Sequence, residues 1–192
     1  GGGMYNDDGS PSLVNVTFSL NHASEGGGMY NGDGSPYLAR VTFSSNSAQD
    51  FAGGLYNSGG SPSLLNVTFS SNSSQLFGGG MYNSDSSPAL TNVTFYGNGA
   101  DDGGGMCNSV SSPTLTDVTF MHNGATEGGG VYNSYSHPKL SDVVFSENGA
   151  YNGGGMYNNY SDPSLSNVTF GKNWADFRGG GLMNFHWSSP LL

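Results

Sequence analysis

GGGMYNDDGSPSLVNVTFSLN, residues 1–21, is the first copy of a pattern that runs through the whole chain. The first 21 positions of seven full units align without a gap, and the units are 25 or 26 residues long. The units begin at residues 1, 26, 52, 78, 103, 128 and 153, and a partial unit begins at residue 179. A fixed period of this length indicates a repeat architecture, in which each unit stacks on the next.

Three short strands are predicted in each unit, where positions are counted from the start of the unit. Val16-Thr17-Phe18-Ser19 alternates apolar and polar residues, and position 16 is Val and position 18 is Phe in every full unit. This alternation is the period of a half-buried strand. Positions 2–6, Gly-Gly-Met-Tyr-Asn in the first unit, predict a second strand with Met inward and Tyr outward. Positions 11–14 predict a third strand, and Leu13 and Val16 both face inward only if the chain bends near position 15.

The repeat predicts an all-β fold, a right-handed parallel β-helix or β-solenoid, with about 25 residues per coil and seven full coils plus a partial one. One unit buries too few apolar side chains to offset the entropy of ordering its chain, so the units must stack. Parallel crossovers favour the right hand. Residues 1–192 are interpreted as a single solenoid segment, a fragment of a longer repeat protein, with Leu192 at position 13 of the last coil.

Glycine and asparagine recur for separate predicted reasons. The glycines at positions 1–3 are expected to let one wall run close to its neighbours and to adopt bent backbone angles. Asn stands at position 6 of all eight units and at position 21 of the seven full units. An inward amide can donate to the next amide along the axis or to the backbone of its own turn, so we expect these residues to form ladders.

The charge of the chain argues against two classes of partner. The formal net charge is −10, from 14 acidic residues against four basic residues. Nucleic-acid binding requires clustered Lys and Arg, so no nucleic-acid partner is expected. An anionic membrane surface is disfavoured for the same reason, and no segment is long and apolar enough for membrane insertion. A single cysteine, Cys107, excludes an internal disulfide.

The paired signatures of the repeat resemble those of chlamydial-type polymorphic outer membrane proteins. These signatures are Gly-Gly-X-aliphatic, here residues 26–29, and Phe-X-X-Asn, here residues 18–21. The third position of the first signature is Gly here, where that family usually has Ala. Similar repeats occur in secreted bacterial β-helix proteins of the pectin-lyase-like superfamily. The resemblance implies a surface-exposed passenger, often an adhesin, that is attached to a separate anchor.

Acidic residues near the end of the units form one candidate site. Position 25 places Glu25 above Asp50, and it places Asp102 above Glu127 with Asp101 beside that pair. Carboxylates one strand spacing apart could share Ca²⁺ or act as an acid/base pair on a polysaccharide. A solvated, screened turn is the simpler interpretation. Asp101, Asp102 and Glu127 are therefore a candidate calcium site, calcium is the only cofactor considered, and no catalytic residue is predicted.

An outward tyrosine stripe forms a second candidate site. Position 5 is Tyr in six units, and its candidate ligand-binding members are Tyr56, Tyr82, Tyr132 and Tyr157. Such rings could stack on sugars or on a partner surface, and they could equally stiffen the sheet. Cys107 interrupts the stripe and is interpreted as a substitution without consequence. The four histidines occupy scattered positions, so we expect a solvated role for them and no metal site.

These features favour a non-enzymatic structural or adhesive role in a secreted or cell-surface protein, with an extracellular, bacterial setting. The expected partners are neighbouring coils of a longer chain, a second copy stacked end to end, or host and extracellular glycans. A polysaccharide-binding or polysaccharide-degrading module is the first alternative. An ice-binding solenoid is the second, because position 17 is Thr in six of the seven full units.

Overall fold

The strands of this protein pair in parallel with their own copies one unit away, and together they form a parallel β-solenoid of about seven coils. The structure, a computed structural model, describes residues 1–191. Phe69 lies opposite Phe95, and Leu64 lies opposite Leu90, in the register that the repeat predicts. No helix occurs within residues 1–191. The predicted all-β stacked architecture is confirmed, and Leu192 lies outside the described residues.

The first wall is an eight-stranded parallel sheet built from positions 4–7 of each unit. Along each strand the aliphatic residue and the Asn are turned to the core, and the residue between them faces away, as predicted. Its strands are Met4–Asp7, Met29–Gly32, Leu55–Ser58, Met81–Ser84, Met106–Ser109, Val131–Ser134, Met156–Asn159 and Leu182–Phe185.

The second wall is a ten-stranded sheet with a bend at position 15. Every bend residue is left-handed, for example Asn66 with φ 56° and Asp117 with φ 56°. Asn and Asp tolerate this conformation, which turns the Leu and Val on either side toward the core. In the first three coils the bend divides the strand, giving Ser12–Val14, Thr17–Ser19, Tyr37–Ala39, Thr42–Ser44, Ser63–Leu65 and Thr68–Ser70. In later coils it continues through, giving Ala89–Tyr96, Thr114–Met121, Lys139–Ser146 and Ser164–Gly171.

A third wall follows position 21, and the sequence pattern did not reveal it. It consists of two three-stranded sheets. One contains His22–Glu25, Ser47–Phe51 and Ser73–Ser74, and the other contains Gly124–Glu127, Gly149–Asn152 and Trp174–Arg178. Between the two sheets, the fourth coil contributes only isolated bridges, at Gly99 and at Asp102. The third wall is therefore interrupted at the end of the fourth coil.

The predicted stacking of Glu25 above Asp50 is wrong. Glu25 lies opposite Phe51, because an irregularity in the pairing absorbs the extra residue of the second unit. The residues that end successive units face one another instead, and Phe77 lies opposite Asp102, which lies opposite Glu127. This second relationship agrees with the prediction for Asp102 and Glu127.

The core is a stack of identical side chains. The Phe rings at position 18 are parallel and 4.7–5.1 Å apart from one coil to the next. The two predicted Asn ladders flank this stack. At position 21 each amide donates to the next Asn, as Asn72 does to Asn98 at 3.0 Å. At position 6 the ladder is continuous from Asn57 to Asn184, and its members from Asn57 to Asn158 are 0% exposed.

Two of the glycine positions show why the repeat needs this residue. Gly78 is left-handed, with φ 67°. A Cβ on Gly80 would lie 2.6 Å from the carbonyl oxygen of Gly105 and 2.9 Å from the ring of Phe95. Contacts this short do not occur for real side chains, so Gly allows the first wall to pack directly on the Phe stack.

Candidate functional site

The tyrosines of the first wall form a stack on the face that points away from the core. The rings of Tyr56 and Tyr82 are 5.2 Å apart, and those of Tyr132 and Tyr157 are 5.3 Å apart. Phe77, the last residue of the third unit, lies against Tyr82 with 5.8 Å between the ring centroids. The third wall thus covers part of the tyrosine stack with aromatic side chains.

This aromatic packing is broken at one level of the solenoid. Cys107 lies between Tyr82 and Tyr132 in the sheet, where the other coils nearby carry Tyr. At the end of the preceding unit, Asp102 takes the place that Phe77 holds one coil earlier. Two aromatic rings are therefore replaced by a small thiol and a carboxyl group at neighbouring points.

The replacement leaves a cavity, which we call the ladder slot. Its volume is about 200 Å³. Its lining residues are Phe77, Tyr82, Asp102, Cys107, Ser109, Tyr132 and Ser134. A second, larger cavity of about 390 Å³ shares Phe77 and Asp102 with the slot and is also lined by Leu76, Asp101, Thr126 and Glu127. Asp102 thus borders both cavities.

The carboxyl groups here have no basic partner. Burial, and then the charges of Glu127 and Asp101, raise the pKa of Asp102 to about 7. Burial also raises the pKa of Glu127, although a hydrogen bond from Asn152 opposes the shift. Within residues 1–191 the ion pairs lie elsewhere, at Glu147 and at Asp162. The site therefore holds negative charge that no neighbouring side chain neutralises.

The other polar groups of the slot are neutral. Burial raises the pKa of Tyr82 to about 12, and it raises the pKa of Tyr132 as well. Both phenols therefore keep their protons near neutral pH. Cys107 is a free cysteine, 2% exposed, and burial raises its thiol pKa well above the ordinary value. A thiol in this state is a poor nucleophile, because the thiolate is the reactive form.

The structure brings the predicted acidic residues together but does not arrange them as a metal cluster. Asp101, Asp102 and Glu127 all line the larger cavity. Within residues 1–191, no group of three or more His, Cys, Asp or Glu side chains has a geometry that could hold a metal ion. The calcium site stays a prediction. The histidines lie apart: His22 contacts Ser47 between the first two coils, and His137 contacts Asp162 far along the axis.

The predicted tyrosine stripe is unevenly accessible. Tyr56, Tyr82 and Tyr132 are half-buried. Tyr157 is only 3% exposed, and the ring of Phe185 lies 6.1 Å from its own. A flat ligand could therefore reach the middle of the stripe more readily than Tyr157.

The threonines at position 17 also form an in-register ladder on the second wall. Thr68 lies opposite Thr94, and Thr94 lies opposite Thr119, so the hydroxyl groups repeat at one strand spacing. Val144 interrupts the ladder one coil later. Ice binding stays a prediction.

The sequence pattern contained two signals for the slot that were interpreted separately. Cys107 was a break in the tyrosine stripe, and Asp102 was a member of an acidic pair. Asp102 ends the fourth unit, and Cys107 lies in the first strand of the fifth unit. The structure shows that both residues border one cavity. Phe77 was not recognised as a site residue, since the unit ends vary in sequence.

Comparisons with protein-family models and with curated proteins found no match to the chain. Among the described residues, no helix has the length and apolar character that crossing a membrane would require.

Proposed function

We propose that this chain is a non-enzymatic, structural and adhesive β-solenoid segment of a bacterial secreted or cell-surface protein, in which it serves as a stalk or passenger. The observation that carries the proposal is the continuity of the Phe stack, which runs from Phe18 to Phe170 without a gap. Each coil adds the same hydrophobic filling, so the rod can be lengthened or shortened by whole coils without redesign of its core.

The polar ladders support the same role. Buried amides that bond to one another along the axis resist shear between coils, because sliding one coil would leave several amides unpaired. Asn123, for example, donates to Asn148 and to the carbonyl oxygen of Phe95. A rod held in this way can project a binding surface away from a cell while keeping its shape.

The resemblance of the repeat signatures to polymorphic outer membrane proteins supports the surface setting. Phe-X-X-Asn occurs in every full coil, and Gly-Gly-X-aliphatic occurs in every full coil except the third, which begins with Ala52. The surplus of acidic over basic residues gives the surface a net charge of −10, which keeps a long rod soluble and free of nucleic acid.

Further coils, or a second copy of the chain, are the proposed partners of the end coils. Core residues at both ends are only partly buried, among them Leu13 and Val16 at one end and Val168 and Leu182 at the other. A cavity of about 450 Å³ opens among Leu165, Val168, Phe170 and Leu182. Parallel strands offer their unpaired backbone groups at such an end, and another coil would satisfy them.

Small-angle X-ray scattering of residues 1–192 tests the structural role. A rod about 36 Å long is expected for a monomer with seven and a half coils at the strand spacing. End-to-end association would give lengths that grow with concentration while the cross-section stays constant. A particle whose cross-section grows with concentration would contradict the proposal.

A polysaccharide-degrading role is the second candidate, because Asp102 and Glu127 face each other on adjacent coils beside Tyr82 and Tyr132. A carboxyl group with a raised pKa beside a second carboxyl group is the arrangement that glycoside hydrolysis uses. A reducing-sugar assay over a panel of polysaccharides tests this role. If the unaltered chain releases sugar and both Asp102→Asn and Glu127→Gln do not, the structural proposal is wrong. If the unaltered chain releases no sugar, the structural proposal is supported.

A further inference from the structure

Along the solenoid axis, the ladder slot takes the place of one missing tyrosine of the stripe. Its walls along the axis are Tyr82 and Tyr132, which are separated by the coil that carries Cys107. Two strand spacings are about 10 Å, so a flat group placed midway would have its centre about 5 Å from the centroid of each ring. The neighbouring tyrosines stack at 5.2 Å and 5.3 Å. The slot therefore suits a planar group that continues the stack.

The acidic residues beside the slot favour a positively charged ligand. Asp102 borders the slot, and the acids nearest to it are Asp101 and Glu127 in the adjoining cavity. No Lys or Arg lines either cavity. Aromatic faces attract cations as well, because the ring quadrupole is negative above and below the plane. A neutral planar ligand would leave the carboxylate without a partner, and an anion would be repelled.

A third observation concerns Cys107, the lining residue of the slot that lies between the two tyrosines in the sheet. The Cys107 thiol is 2% exposed and free, so it offers neither a charge nor a strong hydrogen bond to a ligand. A thiol occupies much less volume than a phenol ring, but at 2% exposure it forms almost none of the slot's open surface, which the other lining residues supply. Recognition is therefore left to the two tyrosine faces and the carboxylate of Asp102.

We propose that the ladder slot binds a guanidinium group, as carried by an arginine side chain of a partner polypeptide, stacked between Tyr82 and Tyr132 and paired with Asp102. Guanidinium is planar and permanently charged, stacks on aromatic rings and donates a fork of hydrogen bonds to a carboxylate. Ammonium lacks the flat face. Calcium requires six to eight oxygen ligands, which the aromatic walls do not supply. The slot would bind this group whether or not the rod serves as a stalk.

Binding should depend on pH in one direction. The titratable groups around the slot are Asp102, Asp101, Glu127, the two tyrosines and Cys107. Of these, Asp102 has its pKa raised to about 7, whereas the phenols and the thiol stay protonated. A cation binds the ionised carboxylate, so affinity should rise from about pH 5 to about pH 8 as protons leave the carboxyl pair.

Calorimetric titration of the intact chain with N-acetyl-argininamide tests the proposal. N-acetyl-citrullinamide serves as the matched ligand, since it has the same shape without the charge. We expect saturable binding of the arginine compound, and at least about tenfold weaker binding of the citrulline compound, because the charge-assisted contacts are lost.

Two variants and one control locate the binding. Cys107→Tyr restores the residue that the neighbouring coils carry and fills the slot, and Asp102→Asn removes its charge while leaving the space. Both should weaken binding at least about tenfold, and Asp102→Asn should also reduce the pH dependence of binding. Asp142→Asn, on the second wall, should leave binding unchanged. Absence of saturable binding, equal binding of the citrulline compound, or binding that survives in Cys107→Tyr would overturn the proposal.

Discussion

The amide nitrogen of Asn98 lies 2.9 Å from Oδ1 of Asn123, one coil further along the solenoid. The same nitrogen donates to the carbonyl oxygen of Phe69, and Oδ1 of Asn98 accepts from the backbone and the amide of Asn72. One side chain thus joins groups from several coils inside the core. A ladder of this kind explains why position 21 never departs from Asn in the full units.

Asn98→Ala should therefore destabilise the fold strongly. The substitution removes four buried hydrogen bonds of the Asn98 side chain and leaves the backbone N–H of Asn72 buried without a partner, which costs about 1–3 kcal/mol for that group alone. We expect the free energy of unfolding to fall by more than about 3 kcal/mol, measured by chemical denaturation. Asn92→Gly is the control, because Asn92 bonds to Asn66 in an exposed ladder and its φ of 52° suits Gly. A loss no larger in Asn98→Ala than in Asn92→Gly would contradict the role of the buried ladder.

The glycines can be tested in the same way with a matched pair. A Cβ on Gly80 would meet the Gly105 carbonyl oxygen at 2.6 Å, whereas a Cβ on Gly124 would meet no atom within 4 Å. In Gly80→Ala the free energy of unfolding should thus fall by several kcal/mol, or the variant should fail to fold, because the backbone would have to move. Gly124→Ala should be neutral or gain about 0.5 kcal/mol from a less flexible unfolded chain. Similar melting temperatures for the two variants would be incompatible with close packing of the first wall on the Phe stack.

Val110 has a backbone conformation that a β-branched side chain disfavours, so we expect a substitution at this position to stabilise the fold. Its φ is 52°, it is 58% exposed, and Asp85 holds the same place one coil earlier. A β-branched residue is strained there, and Asn is tolerated. Val110→Asn should raise the free energy of unfolding by about 1 kcal/mol. Thermal unfolding provides the measurement, and the melting temperature should rise. A lower melting temperature would show that the Val side chain makes contacts that outweigh the strain.

The repeat predicted the stacked walls, the bend at position 15 and both Asn ladders, because each is set by residues that recur in every coil. It did not predict the third wall, whose residues differ from coil to coil and whose pairing depends mainly on the backbone. The stacking of Glu25 on Asp50 was wrong because an extra residue shifts the pairing to Phe51. The slot escaped notice for a related reason: Asp102 and Cys107 are close in the chain, but both stand at positions that vary from coil to coil, and only the structure shows that they line one cavity.

Asp102 makes stability depend on pH. Its pKa is about 7 in the folded chain against an ordinary value of 3.8, so the folded state binds more protons between these values. Stability should therefore fall as pH rises through this window, since the unfolded chain releases its proton earlier. Asp102→Asn removes the buried charge and should be more stable than the parent chain at about pH 8, on the order of 1–2 kcal/mol after solvent screening.

Below about pH 3 the carboxyl group is protonated in both states, so the advantage of Asp102→Asn should vanish there. Asp176→Asn is the control, because Asp176 is exposed on the seventh coil. Thermal melts of the three chains across this pH range provide the measurement. An advantage of Asp102→Asn that is the same at both ends of the range would show that charge burial is not its cause.

Disulfide cross-linking between successive coils tests the stacked parallel architecture most directly. Ser70 lies opposite Tyr96, and Tyr96 lies opposite Met121, all on the second wall. Cα atoms one coil apart, about 4.8 Å, suit a disulfide, whereas those two coils apart, about 10 Å, do not. The double variant Ser70→Cys with Tyr96→Cys should form an intramolecular disulfide under mild oxidation, and Ser70→Cys with Met121→Cys should not. The reverse result, or equal cross-linking of both pairs, would contradict a solenoid in which each residue lies directly above its copy.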